Sequence, residues 1–348
     1  MKIADLDFYL LSPTDGSADG IQRTLLVRVS TSDGQEGWGE ARSKWRASEL
    51  GSRRESLLPI LTGRNVADVE ELSEVNVLTS AALRAAVEMA CWDLIGRVAR
   101  QPLSRIWGGE YRPRVPVALR LPNTSPHRAA QLARDLHERG FHTQVVAGTG
   151  NLDHDLAVVD ALRQATADRV KLRFDAAGRY PAETARELCQ RLERAGLQFI
   201  LDPLDSGLDG FAALARQTTV PLAISTPIGS PTDVLALARA GGTPHVVIDV
   251  AAVGGLAAAR KCAIVAAAAQ LPASLRGAIG MGVSLAGVLQ LAASTSNLSL
   301  AHECAAFQLH EDVLRDQPAI VDGTMVVPQG PGLGVEVDRA RIDACQVT

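Results

Sequence analysis

The chain has 348 residues, with 35 basic and 39 acidic side chains and a formal charge of −4 at neutral pH. This balance excludes the broad basic surface that nucleic-acid binding needs, and no apolar run reaches the ~20 residues that span a bilayer. We therefore expect a cytoplasmic protein with neither nucleic acid nor membrane as a partner, built as two packed units or as one large barrel with an attachment.

The first third of the chain predicts a small α+β unit. Apolar residues cluster at 3–11 and 24–30, and a third run follows a turn at Gly34, which is typical of strands. Residues 78–100 then place apolar side chains three and four positions apart, which indicates a long amphipathic helix. We assign residues 1–112 to this capping domain.

From residue 115 onward, short apolar runs alternate with amphipathic helical stretches. The runs are 115–120, 143–148, 171–175, 198–202, 221–225, 245–249, 272–277 and 298–303. Buried strands that alternate with helices are typically parallel, and eight of them favour a closed barrel over an open sheet. The sequence therefore predicts an α/β fold: a (β/α)7β modified TIM barrel at 113–320, the N-terminal α+β cap, and a segment at 321–348 that returns to the cap.

Several motifs spread over the chain resemble one family. They are GWGEA at 37–41, CWDLIG at 91–96, QPL at 101–103, VGGL at 253–256 and PGLGV at 331–335. The resemblance is to the enolase superfamily, in its mandelate racemase and muconate-lactonizing group. It implies that three acids at the ends of barrel strands three, four and five bind Mg²⁺. It also implies that lysines on strands two and six move a proton next to a substrate carboxylate, whose charge the metal stabilises.

The expected lysines are absent from this sequence. Val145 and Ala147 stand at the end of strand two, where the two lysines of the family pattern are expected. Asp249 replaces the lysine of strand six with an acid of opposite charge. The usual lysine-based proton transfer is therefore excluded.

The expected metal ligands are also mostly absent. Asp175 keeps the first acid, but Leu201 stands at the second position, with Asp202 one residue later, and Ser225 and Thr226 stand at the third. Neighbouring strand residues point to opposite faces, so Asp202 reaches the barrel interior only through a local bulge. Mg²⁺ needs several oxygen ligands in near-octahedral geometry. We therefore predict no metal and no other cofactor, although a shifted site at Asp175, Asp202 and Asp249 is a third option.

Ionisable residues remain at the strand ends, where barrel enzymes carry their chemistry. We predict that Asp249, Asp175 and His302 transfer protons, because carboxyl and imidazole groups suit this task. Arg120 is predicted to bind a substrate carboxylate through its planar guanidinium. The further candidate substrate contacts are Asp202, Ser225, Thr226 and Arg276.

Each of these residues also has a structural interpretation. Asp249 is equally compatible with a salt bridge to a neighbouring arginine, and Arg120 with an ion pair to Asp175 or Asp249. His302 and Glu303 are adjacent at the end of strand eight, so only one of them faces inward.

Two functions remain open at this point. The first is a metal-independent isomerase or lyase that acts on a small carboxylate-bearing molecule. The second is a non-catalytic binding or assembly protein that keeps the fold, with a former active site blocked by arginine–acid pairs. In either case the family resemblance implies a homo-oligomer.

Overall fold

The structure is a computed structural model that describes residues 1–12, 23–241, 244–277, 281–304 and 312–347. The elements of the cap are β1 (Ile3–Leu11), β2 (Arg23–Thr31), β3 (Glu36–Ser43), α1 (Leu50–Leu61), α2 (Val69–Ser73), α3 (Ala81–Ala99) and α4 (Leu103–Ile106). The three strands form an antiparallel sheet in chain order. A Cβ at Gly39 would lie 1.9 Å from the carbonyl oxygen of Ala86, so glycine is required where α3 packs against β3.

Eight parallel strands follow and close into a barrel. They are β4 (Arg114–Arg120), β5 (Thr143–Ala147), β6 (Lys171–Asp175), β7 (Phe199–Leu201), β8 (Leu222–Ile224), β9 (His245–Asp249), β10 (Ala273–Arg276) and β11 (His302–Cys304). Each strand pairs with the next, and β11 pairs back with β4, where His302 lies opposite Val117. This closure confirms the predicted barrel with its N-terminal α+β cap.

Helices connect the successive barrel strands. They are α5 (Pro126–Glu138), α6 (Leu152–Thr166), α7 (Ala182–Leu192), α8 (Gly207–Ala215), α9 (Pro231–Ala240), α10 (Leu256–Ala268) and α11 (Val283–Ser294). Ser125, Asn151 and Ser230 begin α5, α6 and α9 with side-chain oxygens that accept a backbone N–H, which satisfies donors left open at a helix start. Throughout the part of the chain that the structure describes, no helix has the length and apolar character needed to cross a membrane.

The C-terminal segment contacts both units. Strands β12 (Ile320–Val321) and β13 (Thr324–Val326) form a hairpin that lies antiparallel against the beginning of β4. Leu333 then donates its backbone N–H to Asp93 of α3 at 2.8 Å, and α12 (Arg339–Cys345) ends next to the cap, where Ser12 N–H donates to the carbonyl of Cys345 at 3.1 Å. The domain boundaries at 112 and 320 stay predictions.

Two buried carboxylates fix the cap onto the barrel. Glu40 of β3 accepts the backbone N–H of Ser284 at 2.8 Å at the start of α11. Glu88 of α3 accepts the backbone N–H of Leu256 at 2.9 Å at the start of α10. These bonds satisfy helix N–H groups that lack partners within the helix, but burial outweighs them and raises the pKa of each carboxyl to about 7. The cap therefore sits in a defined orientation over the barrel ends that follow β9 and β10.

Candidate functional site

Two arginines and two acids form an ion-pair cluster at the C-terminal mouth of the barrel. Arg120 places its Nη2 atom 2.5 Å from Asp175 and 2.6 Å from Glu303. Arg276 bonds the same two acids, with its Nη2 2.8 Å from Asp175 and its Nε 3.3 Å from Glu303. Each acid therefore bridges both guanidinium groups, and the four charges cancel. We name these four residues the mouth cluster.

The barrel register explains why these residues meet. Arg120, Asp175 and Arg276 are the last residues of β4, β6 and β10, and Glu303 is the middle residue of β11. Glu303 pairs directly with Arg276 across the two strands. Asp175 is fixed further by the backbone N–H of Ala177, which donates to its Oδ1 at 3.0 Å. The side chains of the cluster therefore converge because the strands end at the same barrel rim.

The surroundings keep the mouth cluster ionised. Burial raises the pKa of the Glu303 carboxyl, but the charges of Arg120 and Arg276 outweigh burial and hold its pKa below the usual range. For Arg120, burial lowers the pKa, and the carboxylates of Glu303 and Asp175 reverse the effect, so that its pKa is raised. Both arginines keep about a fifth of the side chain exposed, 21% for Arg120 and 20% for Arg276. Each of the two side chains therefore keeps some contact with solvent.

Asp249 lies beside the mouth cluster but outside its ion pairs. It is opposite Arg276 in the strand register, at the end of β9, and is half-buried. Its Oδ1 atom accepts backbone N–H groups from Ala251 at 3.0 Å and Ala252 at 3.1 Å. Within the described ranges, no hydrogen bond reaches its Oδ2 atom and no basic group lies within ion-pair distance. Asp249 therefore offers a positioned carboxylate with one oxygen open.

Asp202, Ser225 and Thr226 form a second group at the mouth. Asp202 has a left-handed backbone with φ of 45°, and its carboxylate accepts the N–H of Ser225 at 2.7 Å and of Thr226 at 3.2 Å, together with the Ser225 hydroxyl. Burial raises the pKa of Asp202, and the hydrogen bonds from Ser225 only partly oppose this. Leu201, not Asp202, joins the apolar barrel interior. Asp202 and Thr226 also line a cavity of about 210 Å³, and Ser225 is buried beside it.

His302 is not brought into the mouth cluster. Its side chain is fully buried, Nδ1 accepts the N–H of Leu275 at 2.9 Å, and Nε2 lies 3.1 Å from the carbonyl of Leu298. A carbonyl only accepts, so Nε2 carries the proton and the imidazole is neutral. Burial lowers the pKa of His302 to about 3. Of the adjacent pair at the end of the eighth strand, Glu303 is the residue that joins the mouth.

Arg42 was not among the site residues predicted from the sequence. This residue belongs to β3 of the cap, yet its charge interacts with Asp249 and with the mouth cluster. The signal was present in the sequence, because Glu40 and Arg42 are two positions apart on a strand and therefore share one face. Glu303 was noted at its strand end, but its pairing with both arginines depends on contacts across more than 25 residues of sequence.

The residues that the structure describes at the mouth do not fit a Mg²⁺ site. Both oxygens of Asp175 are engaged, one by two guanidinium groups and the other by a backbone N–H. The carboxylate of Asp202 is likewise bonded by Ser225 and Thr226. The described residues contain no group of three or more His, Cys, Asp or Glu side chains that could hold a metal ion. Two fixed positive charges beside Asp175 also repel a divalent cation.

Comparison with known proteins identifies the family. The model for the enolase C-terminal domain-like family matches residues 128–341, and the model for the mandelate racemase / muconate lactonizing enzyme N-terminal domain matches residues 14–108. The chain is 28% identical to muconate cycloisomerase 1 of Rhodococcus opacus over 91% of this chain and 89% of the relative. It is 27% identical to D-xylonate dehydratase of Haloferax volcanii, over 94% and 87%. The crystal structure of 2-chloromuconate cycloisomerase from Rhodococcus opacus 1CP matches with a TM-score of 0.90 at 26% identity, covering 99% of each chain. The chain therefore belongs to the enolase superfamily, in the mandelate racemase and muconate-lactonizing group.

Proposed function

We propose that the protein is a metal-independent isomerase or lyase that acts on a small carboxylate-bearing substrate. The observation that carries this proposal is the pair Arg120 and Arg276, which places two fixed positive charges next to Asp175, at the mouth of the barrel. The relatives named as cycloisomerase and dehydratase support the reaction class.

The two guanidinium groups bind the substrate carboxylate. A guanidinium has five N–H donors in a planar fork that matches a carboxylate, and the substrate carboxylate competes with Asp175 and Glu303 for these donors. When a proton next to the bound carboxylate is removed, negative charge grows on its oxygens. Arg120 and Arg276 stabilise that charge from fixed positions, as preorganised donors do in other active sites.

Asp249 is the general base in this mechanism. Two backbone N–H groups hold its Oδ1 atom, so its Oδ2 atom has a defined direction and is open to accept a proton. Its position opposite Arg276 places it one strand spacing, about 4.8 Å between backbones, from an arginine that holds the substrate. Asp175 then serves to orient the arginines. The buried hydrogen bonds of His302 support a structural role for that residue in place of the proton transfer predicted from sequence.

A second candidate function is non-catalytic binding or assembly. It is favoured by the neutrality of the mouth cluster, in which two acids already satisfy two arginines. A substrate carboxylate has to compete with Asp175 and Glu303 for the same donors. If the substrate carboxylate cannot displace these acids, the mouth cluster blocks access to the barrel mouth.

Hydrogen–deuterium exchange at the substrate carbon separates the two functions. The protein is incubated in D₂O with 2-hydroxy acids, aldonic acids and unsaturated dicarboxylates in the presence of EDTA, and exchange and product formation are followed by NMR. We expect exchange with at least one acid, reduced about 100-fold or more by Asp249→Asn and retained by the matched surface variant Asp160→Asn. Exchange that needs added Mg²⁺ would refute metal independence. No exchange with any acid would favour the non-catalytic function.

A further inference from the structure

Arg42 reaches the barrel mouth from the cap. It lies near the end of β3, two residues after Glu40, so the two side chains extend from the same face of the strand about 7 Å apart. Glu40 is fixed to the start of α11 through Ser284 N–H, and α11 follows closely after the Arg276 end of β10. Arg42 is therefore directed at the same rim of the barrel, where its charge interacts with those of Asp249 and Arg276.

The guanidinium of Arg42 has no partner within the described chain. Its Nε atom is buried without a hydrogen bond, and no carboxylate of the described residues lies within ion-pair distance of the side chain. Burial lowers the pKa of Arg42, and the charge of Asp249 only partly opposes that effect. Arg42 as a whole is half-buried, and a partly desolvated positive charge without a partner favours an anionic ligand. Arg120 and Arg276, in contrast, each bond two acids.

We propose that Arg42 binds a second anionic group of the substrate, so that the barrel mouth selects dianions over monoanions. This inference rests on the proposed function, in which Arg120 and Arg276 hold the first carboxylate. Arg42 comes from the cap and the other two arginines come from the barrel. A dianion therefore bridges the two units, whereas a monoanion held by the barrel arginines leaves Arg42 unpaired.

The acids at the mouth do not already fulfil this role. Asp175 and Glu303 are engaged by the barrel arginines, and Asp249 is held by the backbone of Ala251 and Ala252 outside ion-pair distance of Arg42. A charged hydrogen bond contributes about 1.5–3 kcal/mol. We therefore expect a second anionic group to improve affinity about tenfold to a hundredfold.

Titration calorimetry with two matched acids tests the inference. Succinate and butyrate have the same number of carbon atoms and differ by one carboxylate, and both are titrated into the full chain in EDTA. We expect succinate to bind at least tenfold more tightly than butyrate. Arg42→Gln removes this preference because it weakens succinate binding at least tenfold more than butyrate binding, whereas the exposed control Arg134→Gln retains both affinities.

The outcomes distinguish this inference from the proposed function. Equal binding of the two acids by the wild type, or a preference that survives in Arg42→Gln, overturns the role of Arg42 and leaves the carboxylate site intact. Binding of neither acid overturns the carboxylate site itself and with it both proposals. If Arg42→Gln does not fold, Arg42→Lys replaces it, since lysine keeps the charge but loses the planar fork. An intermediate preference is then expected, and a preference equal to wild type refutes guanidinium recognition.

Discussion

Replacing Glu303 by glutamine removes one of the two negative charges that hold the mouth cluster together. Glu303 accepts Arg120 Nε at 2.7 Å and Arg276 Nε at 3.3 Å, with only 10% of its side chain exposed. Removal of one partner from a buried ion pair costs about 3–5 kcal/mol, because the remaining charge stays buried without compensation. In Glu303→Gln, Asp175 still contacts both arginines, and both arginines remain partly exposed to solvent. We therefore expect the free energy of unfolding to fall by about 3 kcal/mol, the lower end of this range.

Urea unfolding followed by tryptophan fluorescence measures this loss. The matched control is Glu183→Gln. The side chain of Glu183 is 84% exposed, and its ion pair with Arg186 contributes at most about 1 kcal/mol to stability. The double variant Glu303→Gln with Arg120→Met removes one charge of each sign, and we expect it to be at least as stable as Glu303→Gln alone. A Glu303→Gln stability within about 0.5 kcal/mol of wild type would refute the view that the cluster is a desolvated, mutually dependent network.

Three further predictions concern the surroundings of the site. In ¹⁵N NMR of labelled histidine, His302 should stay neutral with its proton on Nε2 down to about pH 4, because burial lowers its pKa to about 3, and titration near pH 6.5 would contradict this assignment. Burial raises the pKa of Glu88 from 4.5 to about 7. Between pH 4.5 and 7 the folded chain therefore keeps a proton on Glu88 that the unfolded chain has released. The stability due to this proton is full below pH 4.5 and is lost as the pH rises through 7. Between pH 4.5 and 8 the free energy of unfolding of the wild type should therefore fall by up to about 3 kcal/mol relative to that of Glu88→Gln. If the difference in unfolding free energy between the two proteins does not change with pH, the raised pKa of Glu88 is refuted. Gly39→Ala should lower the free energy of unfolding by about 1–3 kcal/mol or more, because the added Cβ would lie 1.9 Å from the carbonyl oxygen of Ala86. A melting temperature equal to that of the wild type would contradict this packing.

Most of the fold could be predicted because each barrel strand is a short buried run bounded by polar or turn residues. The sixth barrel strand, β9, has the predicted bounds His245–Asp249, and the third barrel strand, β6, has the predicted bounds Lys171–Asp175. The eighth strand begins later than the predicted 298–303, at His302. Leu298 and Ala301 are buried but lie outside the strand. Burial alone makes a run apolar, so periodicity cannot separate a buried approach segment from the strand that follows it.

The site was less predictable because its geometry depends on backbone and cross-strand detail. Strict alternation along a strand predicts that Asp202 faces away from the barrel interior, yet the left-handed backbone at Asp202 ends the extended conformation and turns its carboxylate onto the next strand end. Arg120 was expected to bind a ligand or pair with an acid, and its pairing with Glu303 joins residues 183 positions apart. No local pattern encodes that distance. Arg42 was missed because it lies in the cap, whose packing onto the barrel depends on Glu40.

In the proposed function, arginines take the place of a metal ion, and this has a consequence for ligand choice. A bound metal ion can be held by its protein acids and still offer open positions to a substrate, whereas Arg120 and Arg276 are already both paired with Asp175 and Glu303. The binding free energy of a substrate carboxylate is thus only the difference between two sets of arginine bonds. One set is formed with the substrate, and the other, with Asp175 and Glu303, is given up. Such competition makes a single carboxylate a weak ligand, and affinity has to come from elsewhere on the substrate. Arg42, partly desolvated and unpaired within the described chain, is placed to supply it. The proposed preference for dianions therefore follows from the neutrality of the mouth cluster as much as from Arg42 itself.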